Sequence, residues 1–245
     1  MIGARSGHSA SVLMRVVAAV AVLLAAGCQW PRDAEGTLDR VRGGVLRVGV
    51  VEDPPWTVVS DDGSVGGAEA ELVRRLAERL SARVEWTEGP ESTLVGALSH
   101  QALDLVIGGL SYSSPWTKDV ALTASYFTSA QVVVVPAGAG DSVEGLEVAV
   151  RAGTPEVTFL HEKGARPAVV PEVPIAPEGP AVVPSWAVDP ACGRVVVELG
   201  STDHSMATPL GENAWLVTVE EFLLGLPDSE IAGLLVDARG GRTCP

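Results

Sequence analysis

From Val45 onward, short apolar runs alternate with segments whose apolar positions recur at helical spacing, and this alternation predicts strands and helices in turn. The runs at 45–51, 103–109 and 131–135 are mostly apolar, which is typical of strands buried on both faces of a sheet. Residues 68–82 place their leucines on one face, and this spacing predicts an amphipathic helix. The order of these elements predicts right-handed crossovers and a mostly parallel sheet, and therefore an α/β fold.

The same pattern continues to the end of the chain. Strands are predicted at 83–86, 146–150, 181–183 and 194–199, and helices at 92–98, 155–163, 213–224 and 228–238. Thr154 stands at the N-cap of its helix and Pro155 at the first helical position, where each residue type is favoured. Residues 167–190 contain seven of the 17 prolines, so only short strands are expected there.

The first 27 residues have the pattern of an export signal rather than of a membrane-spanning helix. The segment contains Arg5 and Arg15 and no acid, and Val16 to Ala26 is an unbroken run of 11 apolar residues. Such a run, at about 1.5 Å per helical residue, is too short for a hydrocarbon core of about 30 Å. We therefore predict a signal peptide at 1–27 and an extracytoplasmic location.

Small residues directly before Cys28 are similar to a bacterial lipobox, in which the cysteine is lipidated. The resemblance implies a lipid anchor at Cys28 and attachment to the cell membrane, because two acyl chains bind a bilayer stably. Residues 28–44 lack core periodicity and are predicted to form a tether that contains at most a helical turn. The alternative is an ordinary secreted protein in which Cys28 has no special role.

Two cysteines remain once Cys28 is assigned to the lipid anchor. Cys192 and Cys244 have neither a CxxC neighbour nor the spacing of metal ligands. In an exported chain two such thiols favour one disulfide, and the alternative is a pair of free thiols.

Composition and charge limit the classes of function. The chain has 245 residues, 47% of them hydrophobic, and a formal net charge of −14. This composition is globular, and a negative charge of this size excludes nucleic acid as a partner. His100, His161 and His204 lack metal-ligand spacing, and the chain has no nucleophile elbow, phosphate loop or dinucleotide fingerprint. We therefore predict no enzymatic activity, no cofactor and no metal site.

Four segments, taken in order, resemble one family of binding proteins. They are LRVGVVEDPPWTVVSDDGSVGGAEAELVRRLAERLSARVEW, ALSHQALDLVIGGLSYS, SYFTSAQVVVVPAG and SVEGLEVAVRAGTPEV. The chain is similar through them to the extracellular solute-binding proteins of family 3, the polar-amino-acid type that serves ABC importers. The resemblance extends from Val45 to Val157 and includes the terminal helices.

The resemblance implies a two-lobed, periplasmic-binding-protein-like α/β fold of type II with a shortened second lobe. Lobe 1 would comprise 45–135 and 210–245, and lobe 2 would comprise 136–209. The two chain crossings near 135–140 and 200–206 would act as hinges. The expected partners are a small-molecule ligand and the permease subunits of an ABC importer, and the protein is expected to be a monomer.

In open α/β sheets, ligands bind beyond the carboxyl ends of the strands, where loops converge. The residues that the resemblance places at this ligand site are Asp53, Trp56, Gly109, Ser111, Trp116, Gly153 and Thr154. Trp56 would stack on the ligand, and Gly109 and Ser111 would bind a carboxylate. Gly153 and Thr154 open a helix whose free N–H groups would bind the same anion.

Two departures from the family pattern change the expected ligand. Trp116 stands where amino-acid receptors of the family have a carboxylate-binding arginine, and nearby Lys118 lacks the planar fork of that side chain. Pro184 and Ser185 stand near the position of the aspartate that binds the amino group. Without these anchors we expect weak binding of acidic amino acids and a preference for neutral or cationic solutes, with Trp186 joining the other tryptophans in the cleft.

Two further interpretations stay open at this point. One is a sensor or accessory lipoprotein that kept the fold without a transport role. The other, an enzyme on this fold, is a dehydratase in which Glu52, Asp53 and Glu69 are the candidate general acids.

Overall fold

The computed structural model describes residues 31–245. The predicted signal peptide at 1–27 and the predicted lipid anchor at Cys28 lie outside the described residues. Within 31–245, no helix combines the length and the apolar character that a membrane span requires.

Twelve strands and six α-helices make up the described chain. The strands are β1 (Val45–Val50), β2 (Val58–Val59), β3 (Val65–Gly66), β4 (Arg83–Glu88), β5 (Leu105–Ile107), β6 (Ala121–Leu122), β7 (Phe127–Pro136), β8 (Glu147–Arg151), β9 (Arg166–Val170), β10 (Ala181–Pro184), β11 (Gly193–His204) and β12 (Ala207–Thr208). The helices are α1 (Thr37–Val41), α2 (Ala68–Arg79), α3 (Glu91–Ser99), α4 (Glu156–Glu162), α5 (Asn213–Leu224) and α6 (Asp228–Arg239), and a 3₁₀ turn spans Ser185–Ala187.

Lobe 1 is built on a five-stranded sheet in the order β4-β1-β5-β12-β6. Strand β1 runs parallel to both β4 and β5, and β12 pairs antiparallel with β5. Helix α2 covers one face because Leu72, Val73 and Leu76, spaced for a helix, are all buried there. The predicted α/β fold is therefore confirmed for this lobe, but the sheet is mixed rather than mostly parallel, because β12 also pairs antiparallel with β6.

Lobe 2 is built on a second five-stranded sheet, in the order β11-β7-β10-β8-β9. Strand β7 pairs antiparallel with β11 from Phe127 opposite His204 to Pro136 opposite Gly193. The apolar run 131–135, which the sequence pattern assigns to lobe 1, therefore belongs to lobe 2. The first chain crossing precedes Phe127 instead of lying at 135–140.

The segment before Val45 is part of lobe 1, although its sequence predicts a tether. Helix α1 is held through Thr37, whose N–H donates to Oε2 of Glu212 at 2.9 Å, and its Leu38 N–H donates to Asp33. Asp33 also accepts from the N–H of Trp215 at 2.9 Å. Two acids therefore join the N-terminal segment to the start of helix α5, so residues 33–44 belong to lobe 1 and not to the predicted tether.

The C-terminal residues return from lobe 1 to lobe 2. Helix α6 packs on α2, and beyond it Thr243 accepts a hydrogen bond from the N–H of Asp189 at 2.9 Å. Cys244 then forms a disulfide with Cys192, just before strand β11, with a Cα–Cα distance of 5.5 Å. The chain thus connects the two lobes at a third place, and this connection is covalent.

Candidate ligand-binding site

The loop after strand β1 places Asp53 and Trp56 at the carboxyl end of the lobe 1 sheet. The loop is closed by two backbone hydrogen bonds between Asp53 and Thr57, at 3.0 and 3.1 Å, and it contains the cis Pro54–Pro55 bond. The Thr57 hydroxyl also donates to the carbonyl of Val51. These bonds hold the loop in one conformation, so the backbone fixes where both side chains begin.

Strand β5 ends beside this loop in Gly108 and Gly109. A Cβ on Gly109 would lie 1.8 Å from Oδ2 of Asp53, and Gly109 has a φ of 66°. Glycine is therefore required here both by backbone conformation and by the approach of the carboxylate. Burial raises the pKa of Asp53 to about 6, and the Arg151 guanidinium on lobe 2 opposes that rise.

A second carboxylate, that of Glu69, lies beneath the same turn. Its Oε2 accepts from the N–H of Gly108 at 2.7 Å and of Gly109 at 3.3 Å, and its Oε1 accepts from the Tyr126 hydroxyl at 2.6 Å. The side chain is fully buried, and this burial raises the pKa of Glu69 to about 7 against the opposing effect of these hydrogen bonds. The Gly109 N–H, predicted to bind ligand, is engaged by Glu69 in this conformation.

Trp56 lies at the boundary between the lobes, where other aromatic rings surround it. The imidazole of His204 stacks on it with ring centroids 3.7 Å apart, and the ring centroid of Phe127 is 5.8 Å away. Burial lowers the pKa of His204 to about 4, and its Nδ1 has no hydrogen-bond partner. The ring face predicted to stack on a ligand is therefore covered by His204 in this conformation.

The other two tryptophans that the sequence analysis places at the cleft, Trp116 and Trp186, have packing roles. Trp116 is half-buried against the apolar cluster that includes Leu94 and Val120. Trp186 is buried, and its indole N–H donates to Oγ of Ser129 at 3.1 Å. The expectation that Trp186 lines the cleft is therefore wrong, because the core of the protein surrounds its ring.

Ser111 follows the Gly108–Gly109 turn and remains partly exposed. Its hydroxyl lies 2.6 Å from the hydroxyl of Ser113. Each hydroxyl already has the other as a hydrogen-bond partner, but one O–H donor and several acceptor lone pairs stay open on the pair.

On lobe 2, strand β8 ends at Arg151 and is followed by Gly153 and Thr154. The predicted N-cap bond of Thr154 is not formed, because its hydroxyl donates to the carbonyl of Arg151 at 3.0 Å. The helix begins at Glu156 and contains only seven residues. A helix this short contributes little dipole, so Gly153 and Thr154 act mainly as a turn that ends β8.

Sequence reasoning missed Arg151. The side chain is exposed at the last position of β8, and among residues 31–245 its guanidinium forms no hydrogen bond and no close ion pair. The available signal was a charged residue at the carboxyl end of a strand directly before a glycine turn. The structure thus brings Asp53, Trp56, Gly109 and Glu69 together on lobe 1, with Arg151 beside the turn at Gly153 on lobe 2.

The sequence profile of the bacterial extracellular solute-binding proteins, family 3, matches residues 46–233. Among curated proteins, the chain is 30% identical over 151 residues to the membrane-bound lytic murein transglycosylase F of Photobacterium profundum, covering 59% of this chain and 29% of that one. It is 28% identical over 152 residues to the L-cystine-binding protein TcyJ of Escherichia coli, covering 58% of this chain and 57% of that one. The chain thus spans less than a third of the length of the first of these relatives.

Solved structures share the two-lobed fold. The unliganded, open L-cystine solute receptor of Neisseria gonorrhoeae superimposes with a TM-score of 0.63 at 17% identity, covering 85% of this chain and 98% of that one. An ancestral cyclohexadienyl dehydratase superimposes with a TM-score of 0.54 at 20% identity, covering 76% of this chain and 88% of that one. Both binding proteins and enzymes therefore occur among the proteins that are similar to this chain.

Proposed function

The chain belongs to the bacterial extracellular solute-binding proteins of family 3, and on that premise we propose that it is a membrane-tethered receptor that delivers a small polar solute to an ABC importer. The solute would be amino-acid-like or an amine. The lipid anchor at Cys28 would keep the receptor beside the membrane, where the permease subunits lie. The binding reaction needs no cofactor, because it consists of closing two lobes over the solute.

The observation that carries this proposal is the set of polar and aromatic groups at the carboxyl ends of β1 and β5. Asp53 and Trp56 reach this point from one loop, and Gly109 lies next to Asp53 because it has no side chain. Groups that converge at strand ends, next to a boundary between two lobes, are typical of small-molecule sites in α/β proteins.

Charge supports a neutral or cationic solute. Trp116 packs in an apolar cluster and brings no charge to the site. Asp53 and Glu69 are two acids on the lobe 1 side of the site. The side-chain carboxylate of an acidic solute brought next to them would meet repulsion and would lose hydration. Weak binding of glutamate and aspartate follows from this arrangement.

A thermal-shift panel tests solute binding. The panel holds the 20 amino acids, L-cystine, the common diamines and common sugars. We expect one or more of the amino acids or amines to stabilise the protein, by about 2.7 kcal/mol at a hundredfold excess over Kd. Asp53→Asn should weaken this response, whereas the exposed Glu85→Gln should leave it unchanged. A folded protein that responds to no amino acid, amine or sugar would remove transport binding as its role.

Cell fractionation tests the anchor. Cys28→Ala should release the protein from the membrane fraction and abolish the incorporation of labelled palmitate, because the proposed lipid group would be carried by this cysteine. A Cys28→Ala protein that remains in the membrane fraction would contradict the lipid anchor.

The covered face of Trp56 favours a second candidate, a sensor or accessory lipoprotein without a transport role. In this candidate His204 would fill the place of a solute by stacking on the indole. The absence of permease and ATPase genes beside the gene for this chain would favour it. The dehydratase alternative gains little from the site, because Glu69 is buried and already accepts three hydrogen bonds.

A further inference from the structure

The backbone of Arg151 is fixed while its side chain is free to bind. The carbonyl accepts the hydroxyl of Thr154, and the following residue, Ala152, donates its N–H to Val170 at 2.8 Å on the neighbouring strand β9. The guanidinium projects into solvent at the carboxyl end of β8, which is the edge of a parallel sheet where ligands bind.

Asp53, in the loop after strand β1, is the acid on lobe 1 whose pKa Arg151 affects. Its carboxylate lies beside Gly109, where a Cβ would come within 1.8 Å of Oδ2, and the guanidinium of Arg151 lowers its pKa against the rise caused by burial. No ion pair joins the two side chains in this conformation. Asp53 and Arg151 thus lie at the carboxyl ends of the strands of the two lobes, which is where α/β proteins bind their ligands.

We propose that Arg151 binds the carboxylate of a zwitterionic solute while Asp53, on the opposite lobe, binds its amine. This inference rests on the proposed function and names the residues that recognise the two ends of the solute. A guanidinium presents its donors in a planar fork that fits a carboxylate through two hydrogen bonds. Asp53 in turn accepts hydrogen bonds from an ammonium, so its partly buried carboxylate gains a partner of opposite sign.

The placement on two lobes gives the pair a role in closure. A solute that carries both groups contacts both lobes, whereas an amine or an acid alone contacts one. A ligand stabilises a closed form only through contacts that the open form lacks, so only the zwitterion gains the full free energy of bridging. Arg151 on lobe 2 thereby provides the carboxylate-binding cation. That cation is missing from lobe 1, where Trp116 stands at the position of the family's arginine.

Matched sets of compounds test this assignment. Each set holds an amino acid, its decarboxylated amine and its deaminated acid: L-cystine, cystamine and 3,3′-dithiodipropionate; L-leucine, 3-methylbutylamine and 4-methylpentanoate. Isothermal titration should give measurable binding for the zwitterion of at least one set. Both truncated members of that set should bind about tenfold more weakly or worse, the factor expected when a charge-assisted hydrogen bond is lost.

Variants assign the two ends. Arg151→Gln should weaken the zwitterion about tenfold or more and leave the amine of the same set unchanged, and Asp53→Asn should weaken both. Lys163→Gln is the matched control, because it removes one exposed cation from the same lobe at the end of helix α4, and it should bind as the wild type does.

The outcomes separate this inference from the proposed function. An amine that binds as tightly as its zwitterion, or an Arg151→Gln variant with full affinity, would overturn the inference while leaving a solute receptor. Binding found only for sugars or other uncharged compounds would do the same. If no compound of these sets or of the wider panel binds the folded protein, both the inference and the solute receptor are wrong.

Discussion

The two lobes share a five-stranded sheet but are held together in different ways. Lobe 1 joins distant segments through buried carboxylates: Asp104 is fully buried and accepts hydrogen bonds from the side chains of Arg40 and Arg47 at 2.7 and 2.6 Å. In lobe 2, within the described chain, every charged side chain from 140 to 200 keeps some exposure. Its sheet is covered by the short helix α4, and the Cys192–Cys244 disulfide links it to the C-terminal residues that follow lobe 1.

This contrast shows that the two halves of one fold can depend on different chemistry. In lobe 1, a charge removed from a buried network leaves its partners without compensation, which is costly. In lobe 2, stability rests on apolar side chains and on the limited freedom of a cross-linked unfolded chain. Substitutions in the two lobes separate these two contributions.

Removing the carboxylate of Asp104 should have the largest effect. Asp104→Asn leaves two guanidinium groups beside a buried amide, and we expect a loss of about 4 kcal/mol in the free energy of unfolding, measured by urea denaturation. The control is Glu85→Gln, which breaks the exposed pair with Arg83 and should cost less than about 1 kcal/mol. Equal effects of the two substitutions would mean that lobe 1 does not depend on its buried charges.

Loss of the cross-link should come second. Cys192→Ser or Cys244→Ser opens a loop that spans 52 residues in sequence, and we expect a loss of about 3 kcal/mol because the unfolded chain regains conformational freedom. The double variant should lose no more than either single one. Peptide mapping without reduction should recover the 192–244 pair, and two free thiols in exported protein would contradict the cross-link.

A pH effect at the boundary between the lobes should be the smallest of the three. Because the pKa of Glu69 is raised from its ordinary 4.5 to about 7, the folded state holds this proton more tightly than the unfolded state does. Its contribution to stability is therefore full below pH 4.5 and is lost as the pH rises toward 7. Over that interval, wild type should lose on the order of 2 kcal/mol relative to Glu69→Gln.

The control for this measurement is Glu71→Gln, which changes a partly exposed acid on the same helix and should keep the pH dependence of the wild type. His204 acts in the opposite sense, because its lowered pKa makes the folded state lose stability as the pH falls from 6.5 to about 4. It is present in both proteins, so its contribution cancels in the difference. A difference that does not vary between pH 4.5 and 7 would show that Glu69 has an ordinary pKa.

Sequence patterns predicted what depends on neighbours along the chain. Helix α5 spans 213–224 as its apolar spacing predicts, and strand β1 ends one residue before the predicted boundary. The sheet membership of 131–135 was missed, because an apolar run indicates burial and says nothing about which sheet provides the partner strands.

The site was predicted less completely, for the same physical reason. Asp53 and Gly109 do lie together, as the rule of converging strand ends suggests. The covering of Trp56 by His204 and the effect of Arg151 on Asp53 depend on contacts between segments about 100 or more residues apart in sequence. The role of Asp33 was missed likewise, because its partner Trp215 is 182 residues away.

The covalent return of the C-terminus to lobe 2 has a mechanical consequence. Two bodies joined by a pair of adjacent strands, such as those that begin at Phe127 and end at His204, can rotate about the line through both joints and can also twist. A third connection, the disulfide between Cys192 and Cys244, constrains both motions further. The two lobes are then expected to move relative to each other within a limited range. The distance between Asp53 and Arg151 should therefore vary within a limited range, and reduction of the disulfide should widen that range.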